Sequence, residues 1–175
     1  GAQADVAANA AIVAEIGRRT GCRAFNALYG LRLDDSTPEE QDAVALENLA
    51  VVAAAVEGTV LVEPISGAEA YPLKTAAEAA AVVDQVRAAG TENIAVLADF
   101  YHLAVNGDDV AAAIETGAAS FGHIQIADAE GRGAPGTGQL PLEAWIARSL
   151  ELGYSGGIAL EYKQDRDTAF AWLAR

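Results

Sequence analysis

Short apolar runs alternate along this chain with longer stretches whose apolar positions recur at helical spacing. Residues 3–19 read as a helix, with Val6, Ile12, Val13 and Ile16 on roughly one face, and Arg23–Leu28 (RAFNAL) follows as a short strand. Thr37-Pro38-Glu39-Glu40 predicts a strong helix start. Thr37 is the N-cap, Pro38 opens the first turn, and Glu40 closes a capping box in which each side chain satisfies an otherwise unpaired backbone N–H. That helix runs to about Val56 and stops at Gly58. The β-branched run Thr59–Glu63 is a buried strand. Thr75 and Glu78 form a second capping box, with a helix to about Ala89 and Gly90 past its end. Ile94–Asp99, Gly122–Ile126 and Gly157–Glu161 are three further strands. Asp108–Thr116, Pro141–Leu152 and Asp167–Ala174 are the remaining helices.

Strands that are apolar on both faces belong to parallel sheets covered by helices, and each strand here recurs with one helical crossover. The class is α/β, and an open doubly wound sheet and a (β/α)8 barrel both fit that alternation. The glycine-rich segment 131–138 lacks the spacing of a dinucleotide or P-loop fingerprint and reads as a flexible βα loop.

Composition narrows the field. With 175 residues and 52% apolar positions the chain suits one domain, 1–175, with a real core. Eleven Lys+Arg stand against 25 Asp+Glu, a net charge of -14, which argues against a nucleic-acid partner. No uncharged apolar run reaches the length of a membrane span, and no signal or lipidation motif is seen, so a cytoplasmic protein is expected. The single cysteine, Cys22, excludes an internal disulfide and is expected to be a small buried residue. The sequence contains no Met and opens on Gly1-Ala2, and a piece of a longer chain is one expectation.

The chemistry lies where strands end. Asn26, Glu63, Asp99, Gln125 and Glu161 fall late in, or at the end of, successive strands. In a parallel sheet these ends share one side, and in a barrel they converge on the axis. Three carboxylates held together repel unless one keeps a proton or a cation joins them. The three with the Gln125 amide oxygen form a hard, oxygen-rich set suited to Mg²⁺ or Mn²⁺. A lone acidic residue at a strand end is more often a helix cap, and Asp99 is open to that reading. His102, three residues after Asp99, and His123, two before Gln125, are candidates for substrate contact, as is Asn26. Arg132 and Lys163 could hold an anionic substrate. Trp145, Trp172 and Phe170 read as core or interface residues.

The motifs Leu61-Val-Glu63-Pro-Ile-Ser66, Ala98-Asp99-Phe-Tyr-His102, Gly122-His-Ile-Gln125-Ile-Ala-Asp128, Arg132-Gly-Ala-Pro-Gly136-Thr-Gly138 and Leu160-Glu161-Tyr-Lys163 resemble those of the hydroxypyruvate isomerase family, within the xylose isomerase-like barrel superfamily. The resemblance implies a (β/α)8 TIM barrel with a divalent metal on Glu63, Asp99, Gln125 and Glu161. It also implies that Glu63 and Glu161 act as the acid/base pair, interconverting hydroxypyruvate and tartronate semialdehyde through an enediolate. Gln125 stands where related ketose 3-epimerases usually place a His. Family members carry eight strands, whereas five are counted here, reading as strands four to eight. The first three units are then expected outside this chain, or the open edges covered by a second copy in a homo-oligomer. Two other readings fit the same residues: a sugar isomerase, epimerase or inosose-type dehydratase on the same metal site, and a non-catalytic barrel module that acts by assembly.

Overall fold

The computed structural model describes residues 2–174. Helix α1 (Ala2–Thr20) precedes β1 (Ala24–Asn26), α2 (Pro38–Ala55) leads into β2 (Thr59–Val62), and α3 (Ala76–Ala88) into β3 (Ile94–Asp99). Two short helices, α4 (Phe100–Asn106) and α5 (Val110–Gly117), precede β4 (Phe121–Ile126). Helix α6 (Leu142–Glu151) precedes β5 (Ile158–Leu160). The strands form one parallel sheet in the order β1-β2-β3-β4-β5. A doubly wound sheet reverses its order at a switch point, whereas here each strand adds beside the one before it. The sheet is therefore five successive staves of a barrel wall.

Both capping boxes form. The Thr37 hydroxyl accepts from Glu40 N while Glu40 accepts from Thr37 N, and Thr75 and Glu78 do the same. Val60, Val62, Ile94, Val96, Ile124 and Ile126 point outward into the main core beneath the helices. Leu61, Ala95 and Leu97 form a separate apolar cluster on the inner face. This is the two-residue alternation of a strand, with both faces buried in β2 and β3.

Four expectations need correction. In α1, Ile12 and Ile16 are exposed, and the packed face is the small one, Ala10, Ala14 and Gly17. A Cβ on Gly17 would sit 2.6 Å from the Phe25 ring, so close approach of helix to strand outweighs burial of larger side chains. Residues 100–106, to which the sequence reading assigns no element, form α4, because Asp99 caps it. Cys22 is exposed, donating its thiol to Ala24 O at 3.2 Å just past the end of α1. The expected helix over 167–174 is two 3-10 turns, Arg166–Thr168 and Ala171–Ala174. No side chain caps the first of them. Tyr162 OH donates to Ala169 O and accepts from Trp172 Nε1, holding the segment in that shape.

Candidate active site

Strand register brings the inner-facing polar residues to one level. Asp99 lies opposite Gln125, Gln125 opposite Ala159, and the Glu161 N–H extends the ladder to Ile126 O at 3.0 Å. Glu63 follows the last residue of β2, and its backbone carbonyl accepts from Tyr71 OH at 2.8 Å. Asn26, at the end of β1, donates to Glu63 Oε2 at 2.5 Å. Asn26 thus reaches the site by orienting a carboxylate.

Asp99 is wholly buried and does two things. Its Oδ1 caps α4, accepting from Tyr101 N at 2.9 Å and His102 N at 3.3 Å. Its Oδ2 faces the mouth, 3.3 Å from the Arg132 guanidinium and 3.8 Å from His102 Nε2. Arg132 also reaches Glu161 Oε1 at 2.6 Å and lies 5.3 Å over the Tyr101 ring. It therefore ties a buried carboxylate to a half-exposed one.

The electrostatics follow from burial and like charge. Burial raises the Glu63 carboxyl to about 7, and the Asp99 and Glu161 charges add to that, against the Asn26 hydrogen bond. Burial also raises Asp99, while its backbone donors and Arg132 pull it back. His102 is lowered to about 4 by burial and by Arg132, so it is neutral at pH 7. Its Nδ1 accepts from Ser66 N at 3.1 Å and lies 2.7 Å from Ser66 Oγ. An acceptor Nδ1 on a neutral ring puts the proton on Nε2, the nitrogen turned to Asp99.

Among the described residues, one group of carboxylate and imidazole ligand atoms lies within 4.8 Å of one another, that of Glu63, Asp99 and His102. The tautomer set by Ser66 makes His102 Nε2 a donor there and leaves the ligating work to oxygens. A second feature fits a cation: Gln125 Oε1 is buried with no hydrogen-bond partner among the described residues. A buried acceptor without a donor is costly, and a metal ion satisfies it.

The expected site residues separate accordingly. Asn26, Glu63, Asp99, His102, Arg132 and Glu161 are linked by contact, and Gln125 joins them through register. His123 lies deeper on the inner face, paired to Leu97, and burial lowers its pKa. The Lys163 side chain is exposed, and its backbone N–H donates to Arg132 O at 2.7 Å. Ser66, Tyr71 and Tyr101 were not singled out. Ser66 and Tyr101 carried a signal, standing in quoted motifs three residues past Glu63 and two past Asp99, and Tyr71 carried none.

Comparison with known proteins shows the family to which the fold belongs. A protein of Streptomyces coelicolor named "Putative hydroxypyruvate isomerase" is 47% identical over 95% of this chain and 63% of its own length. A 2-oxo-tetronate isomerase of Cupriavidus necator is 34% identical over 85% of this chain and 59% of its own. The chain thus spans about three fifths of the length of these two curated relatives. The crystal structure of an AP endonuclease, family 2, from Brucella melitensis superposes with a TM-score of 0.90 at 26% identity, covering 99% of this chain and 69% of that one. Five staves of a parallel barrel wall with acidic strand ends, and a match across residues 3–175, place the chain in the xylose isomerase-like TIM barrel family.

Proposed function

We propose that the protein to which this chain belongs is a divalent-metal-dependent isomerase of small 2-oxo acids bearing a hydroxyl beside the carbonyl, with hydroxypyruvate as the first substrate to test. The observation that carries this reading is the pairing of Arg132 with Asp99 and Glu161 beside the unpartnered Gln125 Oε1. It joins a cation-seeking oxygen set to a guanidinium that can take a carboxylate. The two curated relatives carry names for substrates that share this 2-oxo acid group.

Glu63, Asp99, Gln125 and Glu161 are the residues that would hold the metal, Mg²⁺ or Mn²⁺ by the hardness of the donors. When bound, it supplies charge stabilisation to oxygens that become negative during the reaction. The chain's own groups do the rest. One of Glu63 and Glu161 takes a proton from C3 of hydroxypyruvate, leaving an enediolate. The acid of the pair delivers a proton to C2, and the C3 hydroxyl proton passes to the C2 oxygen, which gives tartronate semialdehyde. His102 donates Nε2–H to an oxygen that gains charge. Arg132 holds the substrate carboxylate, and the apolar wall of Leu61, Ala95 and Leu97 keeps the floor of the site dry.

The test is turnover of hydroxypyruvate with Mn²⁺ in D₂O, beside a panel of ketoses. Deuterium at the reacting carbon, with weaker turnover of the ketoses, is the expected result. Product without deuterium would replace the enediolate route by a hydride shift, and preferential turnover of a ketose would assign the site to sugar isomerisation or epimerisation. No turnover by this chain together with no Mn²⁺ affinity would favour the assembly-module reading.

A further inference from the structure

The loop between β4 and α6 is not loosely strung. Asp128 is 1% exposed, and its carboxylate is wrapped by the loop that follows it. Oδ2 accepts from Gly136 N and Gly138 N, both at 2.9 Å, and Oδ1 accepts from Leu140 N at 3.0 Å. Asp128 and Gly133 also exchange both backbone hydrogen bonds, at 2.8 and 3.0 Å. Charge-assisted bonds from three amides to one buried carboxylate are among the stronger local ties a loop can have.

The glycines follow from this wrapping. A Cβ on Gly138 would fall 1.7 Å from Ala129 O and 2.6 Å from the Asp128 carboxylate, so only glycine lets the chain pass. Gly131 and Gly136 take φ of +88° and +83°, the left-handed region that glycine enters freely. Between them Arg132, a non-glycine residue, is itself held at φ +59°. Its carbonyl is tied to Lys163 N, and its Nε–H donates to Glu161 O at 2.9 Å. Arg132 thus stands within a loop closed on Asp128 and reaches Asp99 and Glu161 from it.

We propose that Asp128 is the positioning residue for Arg132. Its carboxylate bonds amides of its own loop and none of the carboxylates of the mouth. It sets the backbone from which Arg132 reaches them. This deepens the proposed function and rests on it for the consequence in turnover, though not for the wiring itself.

The test is the exchange of the Arg132 Nε–H with water, followed by ¹⁵N NMR and assigned by its loss in Arg132→Lys. Arg87 is an internal control, because its Nε is buried and lies outside the loop. In Asp128→Asn an amide NH₂ faces the loop donors, and the Arg132 signal should exchange at least about tenfold faster while that of Arg87 is unchanged. Gly136→Ala, which keeps the carboxylate and strains the wrap, should act in the same direction. It decides the matter if Asp128→Asn loses its folded spectrum. Equal acceleration of both arginines, or of neither, would overturn the proposal. In turnover, Asp128→Asn should raise the KM for hydroxypyruvate in the parent chain and change it less than about twofold when added to Arg132→Lys. Full additivity would show that Asp128 acts otherwise. Absence of turnover in the parent chain would sink the proposed reaction and leave the exchange measurement to judge Asp128 alone.

Discussion

Asp99 and Glu161 end strands two places apart in one sheet, yet they live in different solvents. The Asp99 side chain is 0% exposed and the Glu161 side chain 46%. Asp99 ends the central strand β3, which is buried along its whole length, and it is committed to a helix cap, an arginine and a histidine. Glu161 follows the edge strand β5, whose residues are all at least partly exposed. Arg132 joins the two. The strand pattern treats these carboxylates alike, whereas position in the sheet buries one completely and leaves the other half in solvent.

That contrast can be broken in order of effect. Glu161→Gln should cut turnover of hydroxypyruvate by about 10²–10⁴-fold, the range of a lost acid or base, with the melting temperature little changed. Retained turnover would remove Glu161 from the acid/base pair. In the core beside Asp99, Phe100 is fully buried and packs edge-on against Trp145 with centroids 5.7 Å apart. Phe100→Ala should cost about 3–5 kcal/mol in denaturant unfolding, and Leu160→Ala on the edge strand less than about 1 kcal/mol. Equal costs would mean that the edge is covered in solution.

The next effect depends on pH. Burial raises the Glu63 carboxyl from 4.5 to about 7, so the folded, metal-free chain binds a proton that the unfolded chain releases earlier. The stabilisation is complete below about pH 4.5 and is lost as pH rises through about 7, an effect of up to about 3 kcal/mol. Melting curves of the EDTA-treated chain across this window should fall, and Glu63→Gln should flatten the slope. A slope unchanged in that variant would place the titration elsewhere. Thr75→Ala removes a capping hydroxyl from α3 and should cost about 1 kcal/mol. Smallest is Glu115→Gln at the exposed pair with Arg148, where the melting temperature should not move, since water and salt screen such pairs.

Much of the fold was legible because local rules carry it. Capping boxes at Thr37 and Thr75 announced two helices, and the runs ending at Glu63 and Asp99 announced buried strands. Where the reading missed, tertiary packing had overridden local pattern. Ile12 and Ile16 advertise a buried face that α1 turns outward so that Gly17 can meet Phe25. Residues 100–106 lie between a start in Asp99 and a stop in Gly107, but seven residues are too few for a periodic signal, and the role of Asp99 as a cap depends on where β3 releases the chain. At the site, the acidic strand ends were visible from period and position. Asp128 stood in a quoted motif with no role, and the loop after it was expected to be flexible. Nothing in the order of residues shows that three amides return to one carboxylate.

The one-dimensional pattern was enough for parallel strands with helical crossovers, a common side for the polar strand ends and an oxygen-rich donor set, because alternation and capping act between residues close in the chain. Only folding in three dimensions decided which strand became an edge, which nitrogen of His102 carries the proton, and that Arg132 bridges Asp99 and Glu161. Those outcomes depend on burial and on contacts between residues some thirty positions apart, and desolvation and hydrogen-bond geometry exist only once those residues have met.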